Sequence, residues 1–352
     1  MSCPPKMRNT SKLHLCSTWP SFKAVESSSG EIYDWQVESQ AVQYESEDIH
    51  SKLDEWKINY DDIEFNQCLK RGKNTAIYRG RWHGDVVIHT YHSSRDVNEF
   101  LEEVAILSRI RHENIELFMG VSTEPSKLAV VTSVHKGPSL FEHLHLKGEK
   151  MSVASKIHIA RQIAQGVGYL HAMGITVGSK LNSRNIFLES KVKICLLGFD
   201  FVEVQNTRDD IACLPSGYLS YMAPELLRTV RVESSELVTD MQYNTTTDIF
   251  AFGTILYELF SGSWPFDGEN SYALIWSLCN GDMPSLSNVD SPGQIKNIIN
   301  ECWSEHPLDR PLITEVVKEL QHNVPLHKKH SQSEPDQLNR LSSPTHLRSP
   351  WR

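Results

Sequence analysis

The sequence predicts an α+β protein in two parts, a small antiparallel sheet with one helix and then a larger, mainly helical part. Between residues 56 and 134, short β-branched and aromatic segments alternate with turn residues around one helical pattern. From residue 138 onward, apolar residues recur at helical spacing in one segment after another. The turn at residues 135–138, which contains Gly and Pro, separates the two patterns.

Composition places the chain among ordinary globular proteins, with 39% hydrophobic and 22% charged residues. The formal net charge of −9 argues against a nucleic-acid partner. The seven cysteines form no C-x-x-C pair, which is typical of reduced thiols in a cytoplasmic protein. The apolar run at 249–260 contains Glu258 and is too short to span a bilayer, so we expect no transmembrane segment.

The ends of the chain differ from its middle in composition and in the spacing of apolar residues. Residues 1–55 lack apolar periodicity and carry, from residue 31 on, eight acidic side chains against Lys52, so we expect an acidic disordered leader. Residues 325–352 are rich in Ser, His and Pro, with five Lys/Arg against two acids, and are predicted to form a basic disordered tail. The folded domain is predicted over 56–324, with its two parts at 56–134 and 138–324.

The first part should contain strands over 77–80, 85–89, 116–120 and 128–133. Its helix is predicted from the apolar residues Phe100, Val104, Leu107 and Ile110. In the second part, residues 153–170 present one apolar face, and residues 249–259 are apolar enough for a central buried helix. Further helices are predicted over 272–278, 293–303 and 312–322.

Several strings in this frame resemble protein kinases of the Raf group, and in particular the kinase suppressor of Ras family. They are RWHGDV (81–86), RHENIELFMG (111–120), ARQIAQGVGYLHA (160–172), YMAPELLR (221–228), TDIFAFGTILYEL (247–259) and ECW with DRP (301–311). The tail HSQSEPDQLNR (330–340) is more similar to Raf. The resemblance covers residues 56 to about 335 and implies a two-lobed protein kinase fold.

The residues that carry phosphoryl transfer in this family are missing here. Kinases place HRD-x-x-x-x-N and then DFG in the region 178–198. Lys180 stands at the position of the catalytic Asp, and a protonated amine cannot accept the hydroxyl proton. Leu196 stands at the metal-binding Asp and cannot bind Mg²⁺. Asn185, the second metal ligand of kinases, remains, and Asp200 is a conceivable substitute acid.

The nucleotide pocket is also degenerate by this resemblance. Only Gly72 remains of the phosphate-cradling G-x-G-x-x-G loop, and the phosphate-pairing Lys of V-A-I-K aligns with His89. Imidazole is shorter than lysine and mostly neutral at pH 7. In the family, a small Ala lies over the adenine, and Val87 takes its position here. The acid that pairs with the lysine from the helix aligns with Glu103. Together with the further remnants Ile77, Thr132 and Asn185, this predicts weak ATP binding at most and no Mg²⁺.

The residues that hold the shape of the fold match the family. Glu225 and Arg310 resemble the buried pair that ties the activation segment to the large lobe, and Asp248 resembles the Asp that holds the catalytic-loop backbone. A chain that keeps these residues and lacks the transfer residues has the pattern of a pseudokinase.

The resemblance also implies partners. Arg111 matches the arginine through which Raf-group kinases form side-to-side dimers, and Trp56 matches the acidic-tryptophan segment that supports the dimer. Ser333 matches a tail phosphosite that 14-3-3 proteins read. A MAP kinase kinase would bind through the activation segment and the large-lobe helices.

We therefore expect a catalytically impaired scaffold or allosteric partner in Ras–Raf–MAP kinase signalling. The alternative is an active, atypical Raf-like serine/threonine kinase, which needs Asp200 or another acid in the cleft and a replacement for His89. A pure nucleotide sensor would need a purine slot that Val87 leaves open.

Overall fold

The computed structural model describes residues 53–71, 75–91, 97–124, 126–197, 216–233, 236–239 and 241–322. Three residues that the sequence singled out, Gly72, Asp200 and Ser333, lie outside this described part. The predicted tail and almost all of the predicted leader also lie outside it.

A five-stranded antiparallel sheet forms the first part of the fold. Its order is β1-β2-β3-β5-β4, and the helix α1 follows β3 in the chain. The bounds are β1 Glu64–Arg71, β2 Thr75–Arg81, β3 Asp85–Tyr91, α1 Val97–Leu107, β4 Phe118–Ser122 and β5 Leu128–Ser133.

Strand β5 shows why this sheet is stable. Successive side chains of a strand point to opposite faces. Leu128 and Val130 pack into the main core with α1, whereas Ala129 and Val131 pack on the other face against Ile58. Both faces are therefore covered, which explains the uninterrupted apolar run in this strand.

The second part is mainly helical. Its helices are α2 Val153–Ala172, α3 Ser216–Leu219, α4 Pro224–Leu227, α5 Thr245–Ser261, α6 Ser271–Cys279, α7 Gly293–Cys302 and α8 Ile313–His322. Helix α5 is the central one, because it is buried on nearly all sides. It begins at a capping box in which the Asn244 side chain accepts the Thr247 N–H and Thr247 Oγ1 accepts the Asn244 N–H. The predicted α+β class is confirmed by this architecture.

Short elements were not predicted, because a few residues carry no readable periodicity. They are the π-helical turn Glu142–Lys147, the strand pair β6 Ile186–Phe187 and β7 Lys193–Ile194, the hairpin β8 Arg231–Glu233 and β9 Glu236–Val238, and the helices α3 and α4.

One predicted strand is displaced. The sequence predicts a strand over 116–120, but β4 begins only at Phe118. The backbone N–H of Glu116 instead donates to Ile194 O at 2.9 Å, and its side chain is buried. Glu116 therefore belongs to the contact between the two parts.

None of the helices in the described part of the chain has the length and apolarity that crossing a bilayer requires.

Candidate functional site

The loop between α2 and β6 lies in the cleft between the two lobes, and Asp248 fixes its backbone. Asp248 is buried at the start of α5. Its carboxylate accepts the N–H groups of Val177 and Gly178, both at 2.8 Å, and lies 2.9 Å from His171 Nε2. Gly178 has φ of +62°, a left-handed conformation that favours glycine. The loop is therefore held in a defined shape.

Within this loop, the structure brings Lys180 and Asn185 together. Both are buried, and Asn185 Nδ2 donates to the main-chain oxygen of Lys180 at 3.1 Å. The main-chain oxygen of Asn185 accepts the Cys195 N–H at 2.8 Å, which ties the loop to the segment after β7. Asn185 thus has a clear role in loop geometry. The Lys180 side chain places an amine where a kinase places the carboxylate that accepts the hydroxyl proton.

Leu196 belongs to the core. It is 1% exposed and lies in the same apolar cluster as Leu107, Ile110 and Phe118. Its backbone N–H donates to Glu116 Oε1 at 2.7 Å, and the N–H of Leu197 donates to the same oxygen at 3.1 Å. The Leu196 side chain therefore contributes packing where a kinase needs a metal ligand.

His89 is a buried, neutral imidazole. Its Nε2 lies 3.4 Å from Thr132 Oγ1 on the neighbouring strand β5. Burial lowers the pKa of His89 to about 4, with help from the nearby His135 and Lys180 and against the opposing Glu116 carboxylate. At pH 7 this residue carries no positive charge for a phosphate.

The other predicted pocket residues lie on β2, β3 and α1, and Ile77 pairs with His89 across the β2–β3 ladder. Ile77 on β2 and Val87 on β3 are buried, and Glu103 on α1 is half-buried. Val87 pairs with Thr132 across the β3–β5 ladder, so it lies on the sheet strand that borders the cleft.

The sequence interpretation missed Glu116, a carboxylate that does enter the cleft. It is 6% exposed and accepts the two N–H groups of residues 196 and 197. Burial opposes its ionisation, but the neighbouring His135 and His89 imidazoles and the Leu197 N–H favour the carboxylate and together lower the pKa of Glu116 to about 2. An acid inside the apolar string IELFMG was the available signal, because such a position requires a buried partner.

His135 and Cys195 complete a polar cluster around Glu116. His135 Nε2 lies 3.7 Å from Glu116 Oε2, and its ring stacks on Phe187 with centroids 3.8 Å apart. Burial raises the pKa of the Cys195 thiol well above its usual range, and the adjacent Glu116 carboxylate adds to this. The sequence assigned His135 only to a turn, and the cleft is in fact filled partly from this turn.

These groups do not fit a magnesium nucleotide complex. Mg²⁺ prefers oxygen ligands in octahedral geometry, whereas the Glu116 carboxylate faces an imidazole and a thiol. The position that pairs with phosphates holds the neutral His89.

A buried ion pair joins the segment after the cleft to the end of the helical lobe. Arg310 Nη1 and Nη2 donate to Glu225 Oε1 and Oε2 at 2.7 and 2.8 Å, a bidentate geometry. The same guanidinium donates to the main-chain oxygens of Ser304 and Thr246. The pair therefore links four segments and holds α4 in place.

On the outer side of the sheet lobe, Arg111 and Trp56 lie in contact. The guanidinium carbon of Arg111 is 4.6 Å from the centre of the Trp56 ring, a cation–π geometry. Trp56 packs edge-on against Phe118, while Arg111 remains exposed. Arg111 Nη1 also donates to Ile110 O at 2.7 Å, so the side chain is held at the surface.

A sheet lobe over a helical lobe, with an Asp-held loop in the cleft and a buried Glu–Arg pair below it, defines the two-lobed protein kinase fold. The family described as "Protein tyrosine and serine/threonine kinase" matches residues 63–320. The chain belongs to this family, and the predicted protein kinase fold is confirmed.

The chain is similar to kinase suppressor of Ras proteins, as its motifs indicated. It is 32% identical to "Kinase suppressor of Ras 2" of Mus musculus over 304 residues, which is 84% of this chain and 30% of the mouse protein. Identity is 31% to "Kinase suppressor of Ras 2" of Homo sapiens over the same length. It is 33% to "Kinase suppressor of Ras A" of Caenorhabditis elegans over 276 residues, 74% of this chain and 35% of that protein. The chain thus spans about a third of the length of these relatives.

Proposed function

We propose that this chain is a catalytically impaired, kinase-like scaffold that acts in the cytoplasm in Ras–Raf–MAP kinase signalling. One observation carries the proposal. The three transfer positions hold Lys180, the core residue Leu196 and the neutral His89, while Asp248 still organises the loop around them. A protein that preserves the shape of a kinase without the groups for transfer acts through its surfaces.

The size of the expected defect follows from how phosphoryl transfer works. Catalysis depends on positioning and on charge stabilisation of the transferring group. Removing one such group typically costs several kcal/mol of transition-state stabilisation. Three changes in one cleft leave little activity to measure.

We predict that the purified chain will not phosphorylate a MAP kinase kinase in the presence of Mg-ATP. Radiolabelled phosphate incorporation is the measurement, with an active Raf kinase domain as the positive control on the same substrate. The active-kinase alternative depends on Asp200. Incorporation by the pure chain that disappears in the Asp200→Asn variant would contradict the proposal and support that alternative.

Nucleotide binding should be weak and indifferent to Mg²⁺. The reason is the combination of a core Leu196 at the metal position and the Glu116–His135 contact within the cleft. Isothermal titration with ATP, with and without Mg²⁺, measures this. A tenfold tightening by Mg²⁺, about 1.4 kcal/mol, would mean that a working metal site exists.

We propose that a Raf-type kinase binds side to side at the surface formed by Arg111 and Trp56. Arginine suits such a surface because its planar fork makes several hydrogen bonds at once. The Trp56 ring below the guanidinium holds the Arg111 side chain at the surface. Because this side chain is already ordered, it loses less conformational entropy when a partner binds. Arg and Trp are also the residue types enriched at interface hot spots.

The Arg111→His variant should therefore bind a Raf kinase domain about thirtyfold more weakly, the equivalent of about 2 kcal/mol. Its melting temperature should stay close to that of the wild type, because Arg111 is exposed. Analytical ultracentrifugation of the mixture measures the association. Arg79→His, at an exposed position on β2, is the matched control and should bind as the wild type does. Equal association of the Arg111→His and wild-type chains would remove Arg111 from the interface.

We propose that a MAP kinase kinase binds the helical lobe at α6. Trp276 and Tyr272 on this helix are 71% and 56% exposed, although its other face is buried through Leu274 and Leu278. Large exposed aromatic residues on one helix mark an interaction surface better than scattered apolar residues do.

We further propose that 14-3-3 proteins bind phosphorylated Ser333, whose added charge an arginine cluster would hold.

A further inference from the structure

Three metal-ligand side chains converge in the cleft. One donor atom each of Glu116, His135 and Cys195 lies within 4.8 Å of the other two. Glu116 and Cys195 are buried and His135 is half-buried. The three residues come from separate segments, before β4, after β5 and after β7, so the fold itself assembles the cluster.

Two of the atoms that could bind a metal have no hydrogen-bond partner. Glu116 Oε2 and His135 Nε2 are both buried and unsatisfied, and they lie 3.7 Å apart. Leaving a buried polar atom without a partner is costly, so such a pair requires an explanation. Two ligands at about 2.0 Å from a tetrahedral ion are about 3.3 Å apart, which a small closure of this pair would reach.

The surroundings hold two of the ligands, Glu116 and His135, in place. The Glu116 side chain is held at its other oxygen by the N–H groups of residues 196 and 197. The His135 ring lies flat on Phe187, with an interplanar angle of 4°, and its Nδ1 is 3.6 Å from Glu189 Oε1. A carboxylate beside the outer nitrogen of a histidine is the arrangement that typically supports a metal ligand at the inner one.

The chemistry of the donor set selects the metal. One thiolate, one imidazole and one carboxylate suit Zn²⁺, whereas Mg²⁺ and Ca²⁺ prefer oxygen alone. On binding, the Cys195 thiol loses its proton to solvent and its sulfur takes up the metal. The ion, the thiolate and the Glu116 carboxylate then sum to zero charge, which suits a buried site. Three protein ligands leave the fourth tetrahedral position for water.

We propose that Glu116, His135 and Cys195 bind a zinc ion in the cleft between the two lobes. The bound ion would connect the start of β4, the inter-lobe turn and the segment after β7, and so restrain the lobes relative to each other. This site goes beyond the proposed scaffold function. The proposal can be tested independently of whether the chain transfers phosphate.

Cobalt titration of the full chain tests the proposal, because Co²⁺ bound to a thiolate absorbs in the near ultraviolet. A single equivalent should give this band, and Zn²⁺ should displace it whereas Mg²⁺ should not. The Cys195→Ser variant should lose the band. Cys68→Ser and Cys279→Ser, which change more accessible thiols, are the matched controls and should keep it.

Competition with a chromophoric chelator then gives the zinc affinity. Glu116→Gln and His135→Gln should each weaken it at least tenfold, with far-ultraviolet circular dichroism showing that each variant is folded. Zinc should also raise the melting temperature of the wild type but not of Glu116→Gln. The proposal is wrong if the band is missing in the wild type, persists in Cys195→Ser, or disappears only in the two control variants.

Discussion

Replacing Arg310 with methionine will lower the free energy of unfolding by about 3 to 5 kcal/mol. The substitution leaves the Glu225 carboxylate buried without its bidentate partner, and it also removes the donors to the main-chain oxygens of Ser304 and Thr246. Breaking one half of a buried pair is strongly destabilising because the remaining charge stays out of water. For a domain of this size, the melting temperature should fall by about 10 °C. Urea unfolding followed by tryptophan fluorescence measures the change.

The matched control for this prediction is Arg228→Met. Arg228 also pairs with a carboxylate, Glu305 at 2.9 Å, but the two side chains are 43% and 60% exposed. A pair exposed to that degree contributes about 1 kcal/mol or less. The double variant Glu225→Leu with Arg310→Met should recover part of the loss, because it removes both buried charges. Losses of similar size in Arg310→Met and Arg228→Met would mean that burial of the Glu225–Arg310 pair does not govern its energy.

The two lobes and their long helices could be predicted from the sequence because their periodicity is local, whereas the exposed eight-residue strand β1 was not among the predicted strands. Helix α5 is an example, since its apolar residues and its Asn244 cap are contiguous in the chain. The hairpin of β8 and β9 could not be predicted, because strands of three residues give no pattern. The start of β4 was placed two residues too early, because alternation alone does not reveal that Glu116 contacts the segment after β7.

The candidate site was predictable only where a motif fixes a position by counting. Motif spacing led to Lys180, Leu196 and His89, and the structure gives each a defined environment. The residues that fill the cleft in their place are Glu116 and His135, which precede β4 and follow β5 and so lie together at the open end of the β4–β5 hairpin. No spacing in the sequence links these two residues, because their contact depends on the pairing of the strands between them.

The buried His89 should make the fold sensitive to acid between pH 6.5 and pH 4. Burial lowers its pKa in the folded protein from 6.5 to about 4, with His135 and Lys180 acting in the same direction and Glu116 acting against them. Between these values the unfolded chain binds a proton that the folded chain does not, so acid favours unfolding. The contribution of His89 is therefore complete above pH 6.5 and is lost as the pH falls toward 4. A shift of this size corresponds to about 3 kcal/mol.

The His89→Met variant should show this directly. Urea unfolding of chelator-treated protein at a series of pH values would give the free energy of unfolding for both chains. We expect the loss between pH 6.5 and pH 4 to be about 3 kcal/mol smaller in the variant, because methionine fills the buried site without a titrating group. His83→Asn, which removes an exposed histidine from the turn between β2 and β3, controls for the loss of one imidazole. If His89→Met loses stability on acidification as steeply as the wild type does, folding does not lower the pKa of His89, and the acid sensitivity has another source.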